Sequence, residues 1–300
     1  DGFVDWMQIE RIEGQDRDIG IYRHWLDPTI PFSESVLQKA HGVAITSATL
    51  RDLNLPTDST SIKQEYTNSW QNAMQITGAS HLLHPAIFSN HESPFDYKNQ
   101  TRILIVNDIA RERPAATGAA MAAFMKEAGG GSLGLFTAIQ RLREIYPYLA
   151  GELAAANIPL YAQHVDQMNL QTLLQLFRAD TNSCLIGTDA VRDGIDVPGQ
   201  ALRMILYDKV PWPRPDILFK ARANWIGKNE LTDRLTRMKL RQAFGRLIRK
   251  ADDKGTFVML DSRFPTRLTS AFPSDVTIER LPLKDALFQV HDFLSLKDDL

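Results

Sequence analysis

The clearest chemical pattern in the chain lies in residues 242–249, which read QAFGRLIR. On a helix with about 100° of rotation per residue, Gln242, Arg246 and Arg249 fall within roughly 60° of one another. Arginine carries a planar, permanently charged fork that suits phosphate oxygens, so two guanidiniums aimed at one point indicate an anionic ligand. The alternative is a solvated basic helix face whose charges form ion pairs with neighbouring side chains.

A second pattern occupies residues 187–199, which read GTDAVRDGIDVPG and follow a short apolar run. In open parallel sheets, ligands bind outside the carboxyl ends of the strands, where this loop would lie. The loop offers glycines for tight backbone geometry and polar side chains for contacts, namely Gly194, Gly199, Thr188, Asp193 and Asp196. The alternative interpretation is an ordinary turn built from Asp and Gly.

The elements that must position these residues alternate between short apolar runs and amphipathic stretches. The predicted buried strands are Val43–Thr46, Ile103–Val106, Leu133–Phe136, Leu160–Ala162, Cys184–Ile186, Met204–Tyr207 and Phe257–Leu260. The predicted helices between or after them include Ala115–Glu127, Ile139–Leu149, Leu170–Phe177 and Leu235–Arg249. This alternation predicts an α/β fold in which helices cover a parallel sheet.

The start of the chain has a different pattern. Phe3–Ile12 and Ile19–Leu26 read as two strands, separated by a turn-rich segment. A helix is predicted at about Glu34–His41, with Ser33 as its N-cap.

Composition narrows the functional class. The 300 residues are 44% hydrophobic and 23% charged with a net charge of −2, which is typical of a globular protein and not of a basic protein that coats nucleic acid. No apolar run reaches the roughly twenty residues that cross a bilayer, so no membrane partner is expected. The single cysteine, Cys184, indicates a reducing compartment, and we therefore expect a cytoplasmic protein.

Taken together and in this order, the two patterns resemble motifs V and VI of the DinG/XPD-type superfamily 2 helicases. Motif VI of that family reads Gln-x-x-Gly-Arg-x-x-Arg, and motif V usually reads Phe-Trp-Glu-Gly-Ile/Val-Asp-Val-Pro-Gly. Here Val191 and Arg192 replace the aromatic pair, and Asp193 replaces the glutamate. Further segments are similar to motif III, the Ser-Pro-Phe stretch, motif IV and the Asp-Lys-Leu-Pro-Phe segment, namely residues 42–50, 93–97, 135–138 and 208–212.

The resemblance implies a motor of two RecA-like domains, with ATP and Mg²⁺ between them and single-stranded DNA crossing both. Residues 1–55 would be the end of the first domain, including motif III, and residues 56–300 the second, with an insertion near 211–230. The expected partners are single-stranded, forked or duplex DNA and the N-terminal motor domain of the same polypeptide, and the expected direction of travel is 5′ to 3′.

The resemblance also implies roles for individual residues. Arg249 would be the arginine finger. Arg246 would contact the γ-phosphate or hold the cleft shut, and Gln242 would orient water or couple the finger to nucleotide. Motif V would couple to nucleotide, and hydroxyl-bearing residues would grip DNA phosphates. The motif V residues are Asp193, Gly194 and Asp196, and the DNA-binding candidates are Thr46, Ser47, Thr49, Thr137 and Thr188.

Other parts of such a motor are missing from the sequence. It has no Gly-x-x-x-x-Gly-Lys-Ser/Thr loop, no apolar run that ends in an Asp-Glu pair and no set of four cysteines for an iron–sulfur cluster. Gly129-Gly130-Gly131 lacks a following lysine and reads as a turn into the strand at Leu133. We therefore expect the chain alone to be inactive. The alternatives are a non-catalytic helicase-like module that binds nucleic acid or a partner, and an unrelated α/β protein that binds a small ligand.

Overall fold

The computed structural model describes residues 2–12, 14–50, 62–110, 112–197 and 199–295. They pack into two compact units, residues 1–92 with 213–235 and residues 93–212 with 236–300. The predicted domain boundary after residue 55 lies outside the described residues, and the division at that point stays a prediction. Within the described ranges, none of the helices combines the length and the apolar character that a bilayer crossing requires.

The first unit begins with an antiparallel hairpin of β1 (Phe3–Ile12) and β2 (Gln15–Trp25), which confirms the two predicted strands. Directly opposed residues share a face of such a hairpin. Trp6 stacks on Tyr22 at 5.3 Å between ring centroids, and Arg23 Nε donates to Asp5 Oδ1 at 2.7 Å. The helices of this unit are α1 (Thr29–Ser35), α2 (Ile62–Thr77), α8 (Ile217–Ile226) and the first residues of α9 (Lys228–Phe244).

Two predictions for the first unit are wrong. The helix predicted at Glu34–His41 instead ends at Ser35, and Ser33 is buried inside it. The preceding Asp27-Pro28 gives an earlier start, because Asp27 Oδ1 accepts the Thr29 N–H at 2.9 Å. Residues 43–46 are irregular and exposed, since the described residues offer them no neighbouring strand to pair with.

The second unit is built on a seven-stranded sheet in which every pair of neighbours is parallel. The strands are β3 (Thr101–Val106), β4 (Ser132–Leu135), β5 (Leu160–Ala162), β6 (Cys184–Gly187), β7 (Met204–Tyr207), β8 (Gly255–Met259) and β9 (Ile278–Leu281). Their spatial order is β5-β6-β4-β7-β8-β3-β9. The predicted fold class and all six strands predicted beyond residue 100 are thus confirmed.

Helices cover both faces of this sheet. They are α3 (Tyr97–Gln100), α4 (Pro114–Glu127), α5 (Ile139–Ala155), α6 (Leu170–Ala179), α7 (Asp189–Gly194), the second half of α9 and α10 (Leu283–Ser295). Along β3, Ile103 and Ile105 join the apolar cluster that includes residues of α6 and α9, while Leu104 and Val106 join the one formed with α4, α5 and α10. Because both faces are buried, these strands read in the sequence as continuous apolar runs.

The turn between α4 and β4 confirms the interpretation of Gly129-Gly130-Gly131. All three glycines have positive φ, a backbone conformation that residues with a side chain rarely adopt. A Cβ at Gly130 would overlap the Asn182 carbonyl oxygen, so a larger residue requires the backbone there to shift.

Candidate functional site

Three loops emerge side by side at one edge of the parallel sheet. Thr137 lies just beyond β4, Thr188 follows β6 and Asp208 follows β7. The strands β6, β4 and β7 are neighbours, and all run in the same direction, so their carboxyl ends lie together. This edge is where open parallel sheets bind ligands.

Thr188 is fixed at this edge by Gln163, a buried residue just after β5. Gln163 Oε1 accepts the Thr188 N–H at 3.0 Å and the Thr188 hydroxyl at 3.2 Å. The Gln163 N–H itself donates to the Ile186 carbonyl at 2.9 Å. Gln163 was not among the predicted site residues, although a polar residue directly after a predicted buried strand is a signal for this edge.

The Thr137 loop lies beside a buried carboxylate. Asp208 is 1% exposed, and its Oδ2 is 3.7 Å from Arg141 Nε. Burial raises the pKa of Asp208 to about 7, although the charges of Lys209 and Arg141 act in the opposite direction. The Asp208 carboxyl is therefore at or near its midpoint of ionisation at neutral pH.

Residues 242–249 do not form one continuous helix, so the predicted single helix face is wrong. Helix α9 ends at Phe244, and tight turns follow it. In these turns the Arg246 N–H donates to the Ala243 carbonyl and the Leu247 N–H donates to the Phe244 carbonyl, each at 3.0 Å. Glycine at position 245 disfavours helix continuation, and the core takes up Leu247 and Ile248.

The two arginines nevertheless converge on the loop that carries residues 193–196. Arg246 Nη2 donates to the Asp193 carbonyl at 3.2 Å, and Arg249 Nη2 is 3.5 Å from Asp196 Oδ1. Burial lowers the pKa of Arg246, as does the charge of Arg249, whereas Asp196 and Asp193 raise it. Two cations are thus held close together by acidic and carbonyl oxygens that a more highly charged anion could replace.

Two residues that were not predicted from the sequence, Asp253 and Gln100, hold the backbone of the segment that carries Arg249. Asp253 Oδ2 accepts the Arg249 N–H at 2.7 Å and the Lys250 N–H at 2.8 Å. Gln100 Nε2 donates to the carbonyls of residues 250, 251 and 253. Gln242 is half-buried on the last turn of α9, and among the described residues no hydrogen bond joins its side chain to either arginine.

The glycines of the 187–199 segment have different roles. Gly194 is the last residue of α7 and packs near Leu174, where an added Cβ would lie 3.3 Å from Cδ1. Gly199 has φ +73°, the left-handed region that the predicted tight turn requires. Pro198 between them lies outside the described residues.

The hydroxyl-rich turn at Thr46, Ser47 and Thr49 belongs to the first unit; Thr46 and Ser47 are exposed, and Thr49 is half-buried. Ser47 Oγ accepts the Thr49 N–H at 3.2 Å and lies 3.0 Å from Thr49 Oγ1. These hydrogen bonds form a local turn with hydroxyls at the surface.

A model of the helicase C-terminal domain matches residues 121–277, just over half of the chain. The chain belongs to this family. The matched region contains strands β4 to β8. It also contains the loops of Thr137 and Thr188, and Arg246 and Arg249.

Relatives with known names are DinG-like and YoaA-like proteins. The 3′-5′ exonuclease DinG of Bacillus subtilis is 26% identical over 275 residues, which cover 87% of this chain and 28% of that protein. The ATP-dependent helicase DinG of Mycobacterium tuberculosis is 34% identical over 153 residues, or 49% of this chain and 22% of that protein. The ATP-dependent DNA helicase YoaA of Escherichia coli is 29% identical over 249 residues, or 79% and 35%.

The family match and these relatives confirm the predicted resemblance to the C-terminal part of DinG/XPD-type superfamily 2 helicases. The chain spans between about a fifth and a third of the length of the relatives named here.

Proposed function

We propose that this chain is the C-terminal part of the motor of an ATP-dependent DNA helicase, which moves 5′ to 3′ along single-stranded DNA and unwinds duplexes. In this motor the chain supplies positive charge to the phosphates of ATP. The observation that carries the proposal is the convergence of Arg246 and Arg249 on residues 193–196 in a helicase C-terminal domain.

Arg249 is the proposed arginine finger. Its side chain is 34% exposed, and its partner Asp196 is 73% exposed, so the 3.5 Å ion pair between them is solvated and easily exchanged. A triphosphate carries more charge than one carboxylate and would replace Asp196 as the partner. In related phosphoryl transfers such an arginine is worth about 10³–10⁵ in rate, because it offsets charge that develops on the transferred group.

The neighbouring residues have supporting roles in this proposal. Arg246 contacts the γ-phosphate, and Gln242 orients the attacking water. The motif V residues couple the bound nucleotide to the adjacent sheet edge; they are Asp193, Gly194 and Asp196. Asp193 contacts Arg246 and Asp196 contacts Arg249, which provides the connection. ATP in such motors is bound with Mg²⁺. Among the described residues, no group of three or more His, Cys, Asp or Glu side chains could hold a metal ion.

Single-stranded DNA is the proposed ligand of the sheet edge that carries Thr137 and Thr188, and of the turn at residues 46–49. Hydroxyls and main-chain N–H groups bind phosphates without reading sequence, which suits a motor that travels along any strand. Both donors of Thr188 are bonded to Gln163 Oε1 in this structure. A phosphate that binds Thr188 must therefore take over one of these two hydrogen bonds, while the other continues to hold Thr188 on Gln163 and orients it.

The N-terminal motor domain is the proposed partner of the first unit. One hairpin face carries the opposed pairs Met7–Ile21 and Ile9–Ile19, all exposed, with Ile21 at 86%. The exposed apolar residues Val43 and Ile45 lie in the irregular segment before the hydroxyl-rich turn. Packing against the rest of a motor domain would bury these side chains, and a neighbouring strand there would let residues 43–46 form the strand that their sequence favours.

The decisive experiment measures ATP hydrolysis by the full-length protein with and without single-stranded DNA. We expect DNA to stimulate the wild type and Arg249→Ala to lose most of the rate while still binding nucleotide. Arg263→Ala is the matched control, because the Arg263 side chain forms an exposed ion pair with Glu112, which is not a residue of the proposed ATP site. Full activity of Arg249→Ala would mean that the finger is another residue. An inactive wild type would favour a helicase-derived binding module.

A further inference from the structure

An arginine is buried within the short helix that also carries Asp193. Arg192 lies in α7 and is only 5% exposed. Its Nη1 donates to Asp189 Oδ1 at 2.8 Å, while Nε and Nη2 both reach Asp193 Oδ1, at 2.9 and 2.8 Å. A buried charge is costly unless it is paired, and here two carboxylates satisfy one guanidinium.

These contacts extend to the helix that precedes the two arginines. The other oxygen of Asp189 is 3.0 Å from Lys239 Nζ on α9. At the opposite end, the Asp193 carbonyl accepts the hydrogen bond from Arg246 Nη2, two residues beyond the end of α9. Lys239, Asp189, Arg192, Asp193 and Arg246 therefore form a chain of contacts. The backbone from residue 239 to residue 246 closes this chain into a loop, which we name the charge ring.

We propose that Arg192 is a positioning residue for Arg246. By holding the Asp193 carboxylate with two N–H groups, it fixes the residue whose carbonyl orients the Arg246 guanidinium. Through Asp189 and Lys239 it also connects α7 to α9, which maintains the distance between these two helices. The inference rests on the proposed function, because it gives the orientation of Arg246 a part in ATP turnover.

The ring requires an arginine at position 192 and not only a positive charge. Asp189 and Asp193 lie four residues apart on α7, so without a cation between them the two carboxylates repel. A lysine ammonium is a point charge on a flexible stem and cannot reproduce the fork that contacts both carboxylates. Burial lowers the pKa of Arg192, but interactions with Tyr207, Asp189 and Asp193 raise it by more. The net pKa therefore lies above its ordinary value, and the guanidinium stays charged.

The first test measures ATP turnover of full-length Arg192→Gln and Arg192→Lys, each alone and combined with Arg246→Ala. We expect Arg192→Gln to lower kcat on the order of tenfold with little change in the KM for ATP, and Arg192→Lys to recover only part of the loss. In the Arg246→Ala background, Arg192→Gln should cause almost no further loss, because residues that act through one another are not additive. Equal losses in both backgrounds, or full activity of Arg192→Gln, would overturn the inference.

The second test does not depend on activity. Hydrogen–deuterium exchange of the full-length protein should be faster in Arg192→Gln at residues 189–196 and 245–249, and unchanged in strand β8. Arg263→Gln is the control, since it removes an ion pair that shares no residue with the charge ring. Unchanged exchange in both segments would refute the inference whatever the ATPase result. If exchange in both segments is faster in Arg192→Gln but the wild type shows no DNA-stimulated hydrolysis, the proposed function is refuted. The structural role of the charge ring would still stand.

Discussion

The buried carboxyl of Asp208 makes the stability of the second unit depend on pH in a direction that can be predicted. Burial raises the pKa of Asp208 from an ordinary 3.8 to about 7. The folded protein therefore retains a proton that the unfolded chain loses between about pH 4 and pH 7. The contribution of this group to stability is complete below pH 4, falls as the pH rises through this window and is lost above about pH 7.

The size of the effect follows from the shift. About three pKa units at about 1.4 kcal/mol each correspond to roughly 4 kcal/mol of unfolding free energy. Asp208→Asn keeps the shape of the side chain but cannot ionise. It should match the wild type near pH 4 and exceed it by up to about 4 kcal/mol at pH 8. Arg141 keeps a partner in the variant, because its Nη2 donates to Thr117 Oγ1 at 3.1 Å.

The assay is urea unfolding of wild type and Asp208→Asn from pH 4 to pH 8.5 at constant ionic strength. Asp261→Asn is the matched control, since this equally buried carboxylate follows the neighbouring strand β8. Its two oxygens accept the N–H groups of Val210 and Arg263, so an amide there loses an acceptor and should destabilise the protein by about 1–3 kcal/mol. If Asp208→Asn were less stable than the wild type at pH 8, or if the difference did not vary with pH, the reasoning would be wrong.

Two other substitutions test the sheet edge and the turn that enters it. Gln163→Leu removes the acceptor that orients Thr188. We expect the affinity for single-stranded DNA, measured by fluorescence anisotropy, to fall severalfold, while ATP binding without DNA is unchanged. An unchanged DNA affinity would exclude a role for Gln163 and Thr188. Gly130→Ala places a methyl group against the Asn182 carbonyl at φ +89°, so we expect a loss of at least about 2 kcal/mol in thermal unfolding. A Gly130→Ala protein as stable as the wild type would show that the turn rearranges at little cost.

The sequence alone was sufficient for most of the parallel sheet. Strands buried on both faces read as nearly continuous apolar runs, and this signal is local, so six of the seven strands were predicted. The exception is β9, an edge strand whose Glu279 and Arg280 interrupt the apolar run. Residues 43–46 show the opposite error, because an apolar run forms a strand only where another strand is available to pair with it.

The candidate site was predicted less completely, because its contacts join residues far apart in the sequence. The two arginines were found from their spacing, but on a helix that in fact ends at Phe244, where Gly245 and the burial of Leu247 redirect the chain. Gln100 fixes a loop about 150 residues away, and Arg192 lies in the core and not in solvent. Local periodicity determines which segments become strands and helices. Only the packing of those segments decides which polar groups lose water, and a polar group that loses water must find its partner wherever the fold has placed one.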